Sequence, residues 1–209
     1  MSDSQDKILR SIDNYYSAKI RKHGQCPRGV DWNGEESQLL RFQQLLKIIE
    51  GKSDFSIIDV GCGYGALVDY LRKIFKNYEY IGIDISEEMI IHAQARYGQD
   101  DSTKFHTLAM SPTGADYSVA SGIFNVKLKH NEDEWWNYLT TTLDHLNETS
   151  DKGFSFNCLT IYSDADKMRD YLYYADPCVV FDWCKKRYSK QVSLLHDYGL
   201  YEFTILVRK

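Results

Sequence analysis

Phe55-Ser56-Ile57-Ile58-Asp59-Val60-Gly61-Cys62-Gly63-Tyr64-Gly65-Ala66-Leu67 is an apolar run that ends in an acid, breaks into three closely spaced glycines and opens into a helical pattern. A short continuous apolar run fits a strand buried on both faces, and Leu67, Tyr70, Leu71, Ile74 and Phe75 then recur at helical spacing. A glycine turn between a strand and a helix lets bare backbone approach a ligand, because no Cβ stands in the way. Gly61, Gly63 and Gly65 are therefore candidate contacts for a bound molecule, with Cys62 carried between them.

The unit repeats downstream. Glu79-Tyr80-Ile81-Gly82-Ile83-Asp84 reads as a second strand, and Ser86 is the entry residue of a helix carrying Met89, Ile90, Ala93 and Tyr97 on one face. Further strands are predicted at Lys104 to Leu108, Tyr117 to Ser121 and Gly153 to Leu159, with a helix from Asn131 to Asn147 between the last two. Alternation of this kind predicts an α/β fold, a doubly wound and mostly parallel sheet with helices on both faces. Upstream, Ile8, Leu9, Ile12, Tyr15, Tyr16 and Ile20 give a weak helical pattern, followed by a breaker-rich stretch from His23 to Gly29. Asn33 and Glu36 resemble a capping pair for a helix from Glu35 to Glu50. The end of the chain differs: Lys190 to Tyr198 and Tyr201 to Val207 are strand-like and joined through Gly199-Leu200, too short a link for a parallel crossover. They predict an antiparallel hairpin.

Composition narrows the function classes. One domain over residues 1–209 is the expectation for this length, and the net charge of −5 opposes a surface built to neutralise many phosphates. Lys185-Lys186-Arg187 fits a solvated helix end. Cys26, Cys62, Cys158, Cys178 and Cys184 show no metal-ligand spacing, so no metal is expected. The amino terminus has no signal-like apolar core and no stretch is long enough to span a bilayer, so a soluble cytoplasmic protein without a membrane partner is expected.

Asp84 lies 23 residues after Gly61, a separation at which a carboxylate on the neighbouring strand meets ribose hydroxyls. The ligand then contains a nucleoside. Gly61-x-Gly63-x-x-Ala66 alone also fits a looser dinucleotide fingerprint, which leaves a nicotinamide-dependent oxidoreductase as a competing reading.

Taken with Asp59, Asp84 and the terminal hairpin, the glycine loop resembles that of the class I S-adenosylmethionine-dependent methyltransferase family, over about residues 53–209. The resemblance implies a seven-stranded sheet in order 3-2-1-4-5-7-6 with strand 7 antiparallel. It implies S-adenosylmethionine as cofactor, S-adenosylhomocysteine as product and no metal. By the resemblance Gly61, Gly63 and Gly65 pass the methionine part, Asp59 helps hold its amino group, Asp84 holds the ribose and Ile85 packs on adenine. The family often carries an acid or amide after strand 3. This chain has Leu108-Ala109-Met110-Ser111 there, so Met110 contributes by contact or backbone. After the fourth strand, in Ser121-Gly122-Ile123-Phe124-Asn125, Ser121 falls to the cofactor and Asn125 is the polar candidate for the acceptor.

The expected activity is methyl transfer to oxygen or nitrogen of a small-molecule acceptor, such as a sugar or an amino-acid derivative, with no nucleic acid as partner. The signature Asp-Pro-Pro-Tyr or Asn-Pro-Pro-Tyr for planar nitrogens is missing after strand 4. The alternatives left open are a non-catalytic S-adenosylmethionine-binding module and a protein or nucleic-acid methyltransferase. Residues 1–34 form the expected cap over the cofactor and residues 161–177 a lid on the acceptor side. Trp32, Tyr162 and Tyr174 are candidate pocket residues, and His23 and His196 the candidate bases, with Asp31 a further acid in the cap.

Overall fold

The computed structural model describes residues 3–32, 34–51 and 54–209. Seven strands form one sheet: β1 (Phe55–Val60), β2 (Tyr78–Asp84), β3 (Thr103–Thr107), β4 (Ala115–Ala120), β5 (Ser150–Leu159), β6 (Gln191–Leu195) and β7 (Glu202–Arg208). Their spatial order is β3-β2-β1-β4-β5-β7-β6. β1 to β5 pair in parallel, while β7 runs antiparallel to both β5 and β6. The doubly wound sheet and its strand order are those expected from the sequence.

Six α-helices flank the sheet: α1 (Asp3–His23), α2 (Glu35–Leu45), α3 (Ala66–Ile74), α4 (Glu87–Tyr97), α5 (Glu132–Glu148) and α6 (Pro177–Arg187). The strand side chains alternate between two apolar layers. Ile58, Val60, Phe154, Phe156 and Phe203 meet α1, α5 and α6 on one face. Ile57, Tyr80, Val119 and Leu206 meet α2, α3 and α4 on the other. A helix on each face is what a parallel sheet needs to remove both sides from water.

Local chemistry sets the ends. Ser86 caps α4 by accepting from Met89 N–H, and Asn131 with Glu134 forms a reciprocal capping box on α5. The helix expected to run to Glu50 stops at Leu45 and tightens into a 3-10 turn over Leu46–Ile48. Ser155 Oγ donates to the Leu45 carbonyl at 2.9 Å and Arg208 Nη2 to that of Lys47 at 2.9 Å, so the sheet takes the acceptors a longer helix would use. Asn33, the expected cap residue, lies outside the described residues, and Gly34 precedes the helix. The terminal strands form the expected antiparallel pair, joined by a longer link over 196–201 than Gly199-Leu200 alone. Residues 161–176, within the expected lid, are turns closed at the base by a parallel bridge between Thr160 and Ala175.

Candidate active site

The site begins where β1 ends. Gly61, Gly63 and Gly65 all have positive φ, at 74°, 55° and 81°, and Gly61 and Cys62 N–H both donate to the Ile83 carbonyl, at 2.8 and 3.0 Å. The turn is thereby tied to the tip of β2. A Cβ on Gly61 would stand 2.2 Å from Ile123 Cγ2, and one on Gly63 would stand 3.0 Å from Val30 Cγ1. Bare backbone is what lets the loop after β4 and the amino-terminal segment close down on this turn. Gly65 has another job: its Cβ would meet Tyr97 at 2.9 Å and Phe105 at 3.1 Å, so it seats α3 against α4 and β3.

Above the strand tips is a cleft of about 1080 Å³, counted to its mouth. Asp59, Gly61, Cys62, Gly63, Asp84, Ile85, Met110 and Ser121 line it, as does Trp32. Facing them are Gln5, Leu9, Ile12 and Tyr16 of α1, Gln38 and Phe42 of α2, and Tyr138 and Thr142 of α5. Among the described residues no lysine, arginine or histidine lines the cleft.

The two acids are the unusual groups. Asp59 is 4% exposed and accepts the Tyr80 hydroxyl at 2.8 Å. Burial pushes its carboxyl up to about 7 against the opposing Tyr80 hydrogen bond, with the Asp84 charge adding to the rise. Asp84 accepts Ser86 N–H on one oxygen and Gly63 N–H on the other, both at 2.9 Å. Burial raises it to about 6, while these N–H bonds oppose the rise. Each carboxylate has acceptor capacity beyond the bonds it already makes. The arrangement suits a ligand that brings a cation to Asp59 and hydroxyl donors to Asp84.

The remaining candidates lie elsewhere. Asn125 is 7% exposed, and its amide is engaged at both ends: Oδ1 accepts Leu159 N–H at 3.1 Å and Nδ2 donates to Glu202 at 3.5 Å. Glu202 forms a bidentate pair with Arg41 at 2.7 and 2.8 Å, and the Arg41 guanidinium covers the Trp32 ring at 4.8 Å. Tyr162, 64% exposed, touches the exposed His196 ring with centroids 5.9 Å apart. Tyr174 accepts Arg169 N–H. His23 ends α1. Asp31, next to Trp32 in a left-handed conformation, accepts from Tyr15 and Lys19. None of Gly65, Asn125, Tyr162, Tyr174, His23, His196 or Asp31 lines the cleft.

Sequence reading missed several groups. Asn157 of β5 is fully buried, accepts Gly122 N–H at 2.7 Å and donates to Ser121 Oγ at 3.3 Å, bracing the β4 turn. An amide alternating with Phe154 and Phe156 in a buried strand was its signal. Gln38 and Tyr64 pair over the cleft at 3.3 Å, and Tyr80 underpins Asp59.

The family model described as "Methyltransferase domain" matches residues 57–149. A protein of Mycobacterium tuberculosis bearing the name "Putative methyltransferase Rv1506c" is 58% identical over 164 residues, 78% of this chain and 99% of its own length. The chain belongs to the methyltransferase family. That membership sets aside the nicotinamide-dependent reading. Solved methyltransferases share the fold of this one. Magnesium protoporphyrin IX methyltransferase of Synechocystis PCC 6803, with bound SAH, has a TM-score of 0.64 at 14% identity and covers 99% of this chain and 100% of its own. The DhpI–SAH complex has a TM-score of 0.65 at 13% identity, covering 96% of each chain. The small RNA methyltransferase HEN1 has a TM-score of 0.58 at 14% identity, covering 82% of this chain and 26% of its own. Their acceptors range from a porphyrin to RNA, so the shared fold leaves the acceptor to be argued from this methyltransferase's own cleft. Among the described residues no helix is long and apolar enough to cross a membrane.

Proposed function

We propose that this methyltransferase takes its methyl group from S-adenosylmethionine and passes it to oxygen or nitrogen of a small-molecule acceptor held under α1. The observation that carries the reading is the pair of desolvated acids at adjacent strand tips, Asp59 and Asp84, flanking bare glycine backbone and facing Leu9, Ile12 and Tyr16 of α1 across the cleft. When bound, the cofactor supplies a methyl group already activated on a sulfonium. Asp84 would accept the ribose hydroxyls, Asp59 would meet the ammonium of the amino-acid part directly or through water, and Ile85 with Met110 would cover the base.

The protein's remaining task is alignment and the exclusion of water. Leu9, Ile12, Ile123, Val30 and Trp32 supply apolar walls for that purpose. That no described lining residue is basic disfavours a polyphosphate chain as acceptor, and α1 across the cleft favours a molecule small enough to fit beneath it. Trp32 is the acceptor-side residue the reading retains. No step relies on His23, His196, Asn125, Tyr162 or Tyr174.

The test uses tritium-labelled S-adenosylmethionine with a bacterial extract divided by molecular size. Label carried into the low-molecular-mass fraction, with release of S-adenosylhomocysteine, supports the reading. Label confined to protein or RNA would refute the small-molecule acceptor, and failure to bind the cofactor in calorimetry would refute the whole reading.

A further inference from the structure

The strand-tip acids account for the ribose and amino-acid ends of a nucleoside ligand, but the loop after β3 presents only Leu108, Ala109 and Met110 to its base. Leu108 N–H is already donated to the Asp84 carbonyl at 2.9 Å. The opposite wall is α5, where Tyr138 and Thr142 reach the same cleft one turn apart.

Thr142 is 7% exposed, and its Oγ1 donates its one proton to the Tyr138 carbonyl at 2.8 Å. Its hydroxyl can therefore offer a ligand lone pairs only. The loop and the helix are fastened together: Ser111 N–H donates to His145 Nε2 at 2.9 Å, one turn beyond Thr142. Burial lowers the His145 pKa, which keeps the ring neutral and able to accept through Nε2. The Leu108–Met110 wall and the Thr142 wall thus stand at a fixed separation. Tyr138, on the same helix face, lines the cleft together with Asp84, so this slot opens into the cavity that holds the ribose acid.

Resting on the S-adenosylmethionine reading, we infer that Thr142 determines specificity for the nucleobase: its Oγ1 accepts the exocyclic amino group of adenine. α5 then supplies the side-chain acceptor that Leu108, Ala109 and Met110 of the loop after β3 do not carry. A 6-oxo base would set a carbonyl oxygen against the Thr142 lone pairs, two acceptors with no proton between them.

Calorimetry with S-adenosylhomocysteine and its inosine counterpart tests this. Wild type is expected to prefer the adenosyl ligand by about 10-fold or more. Thr142→Val is expected to bind S-adenosylhomocysteine about 10-fold more weakly while binding the inosyl ligand within about 2-fold of wild type, and Thr142→Ser to keep the preference. Thr142→Ala serves as a second variant should the valine disturb the helix, with the same expectation. Equal affinity of wild type for both ligands overturns the inference, as does a preference that survives in Thr142→Val and Thr142→Ala. Collapse of the preference in Gln5→Leu alone would move the recognition to α1 and overturn it likewise. If wild type binds neither ligand, the S-adenosylmethionine reading itself has failed, which is a different result from binding without discrimination.

Discussion

Asp59→Asn is expected to stabilise the unliganded protein and weaken cofactor binding, two effects of opposite sign from one oxygen-to-nitrogen change. Burial raises the Asp59 carboxyl from 3.8 to about 7, so the folded protein holds the proton over a range where the unfolded chain has released it. The stability linked to this group is present in full below about pH 4 and is lost as pH rises through about 7. Every pH unit between those two values is worth about 1.36 kcal/mol, which sets a ceiling of about 4 kcal/mol on the destabilisation above pH 7. Asparagine removes the charge and still accepts the Tyr80 hydroxyl through Oδ1, while its buried amide takes back part of the gain. A net gain of about 2 kcal/mol near pH 8 would raise Tm by roughly 4–8 °C for a chain of this size. Loss of a charge-assisted contact to the ligand ammonium is expected to weaken S-adenosylmethionine by roughly 10- to 100-fold. Thermal unfolding of ligand-free protein between about pH 4 and pH 8, with calorimetry alongside, reads both. A variant less stable than wild type near pH 8, or a stability difference that does not grow with pH, would refute the desolvation argument.

Three further outcomes follow from the same geometry. Cofactor affinity should fall by roughly 30-fold between about pH 8 and pH 5.5 if protonation of Asp59 alone matters, and by about 100-fold if Asp84 also counts, as calorimetry at several pH values would show. Gly65→Ala, with φ at 81° and its Cβ 2.9 Å from Tyr97, should lose about 2 kcal/mol in denaturant unfolding and leave cofactor affinity within about 2-fold, because Gly65 packs helices rather than lining the cleft. Glu202→Ala should destabilise by about 3–5 kcal/mol by leaving the Arg41 charge buried and unpaired, and the double change Arg41→Met with Glu202→Leu should recover most of it in urea titrations.

The fold was legible because its signals are local. Phe55 to Val60 and Glu79 to Asp84 carry their strand character in consecutive residues, and the link after β6 is too short to do anything but reverse the chain. The acids at the strand tips were legible for a related reason: they sit at fixed distances from glycines that only a tight turn explains. What failed to show was anything decided by a partner distant in sequence. The helix after Glu35 breaks where Ser155 and Arg208 take its carbonyls, more than a hundred residues away along the chain. α6 is entered through Asp176, which accepts from Cys178 and Val179 N–H, and Pro177 at its first position. That capping signal is local, and Lys185-Lys186-Arg187, legible as a helix end, closes the same helix. Asn125 was chosen for being polar after β4. Its amide instead joins β5 to the Arg41–Glu202 pair, and polarity alone does not say which way an amide points.

α1 shows why the cap could be placed only loosely. Its apolar residues form one stripe at helical spacing, yet the stripe serves two surfaces: Ile8 is 1% exposed in the core, Leu9 and Tyr16 line the cleft, and Ile12 does both. A helix face that covers a ligand and one that covers a core are written in the same residue types, because each removes apolar surface from water at a comparable gain per unit area. The difference lies in what stands opposite. Core positions join a cluster that includes Phe124, Phe154 and Phe156, whereas cleft positions share a cavity with bare glycine backbone and two carboxylates displaced from their ordinary titration range. The proposed ligand site of this methyltransferase is therefore marked less by its apolar walls than by the acids those walls leave poorly solvated. A ligand that adds partners to Asp59 and Asp84 would stabilise the folded state by mass action.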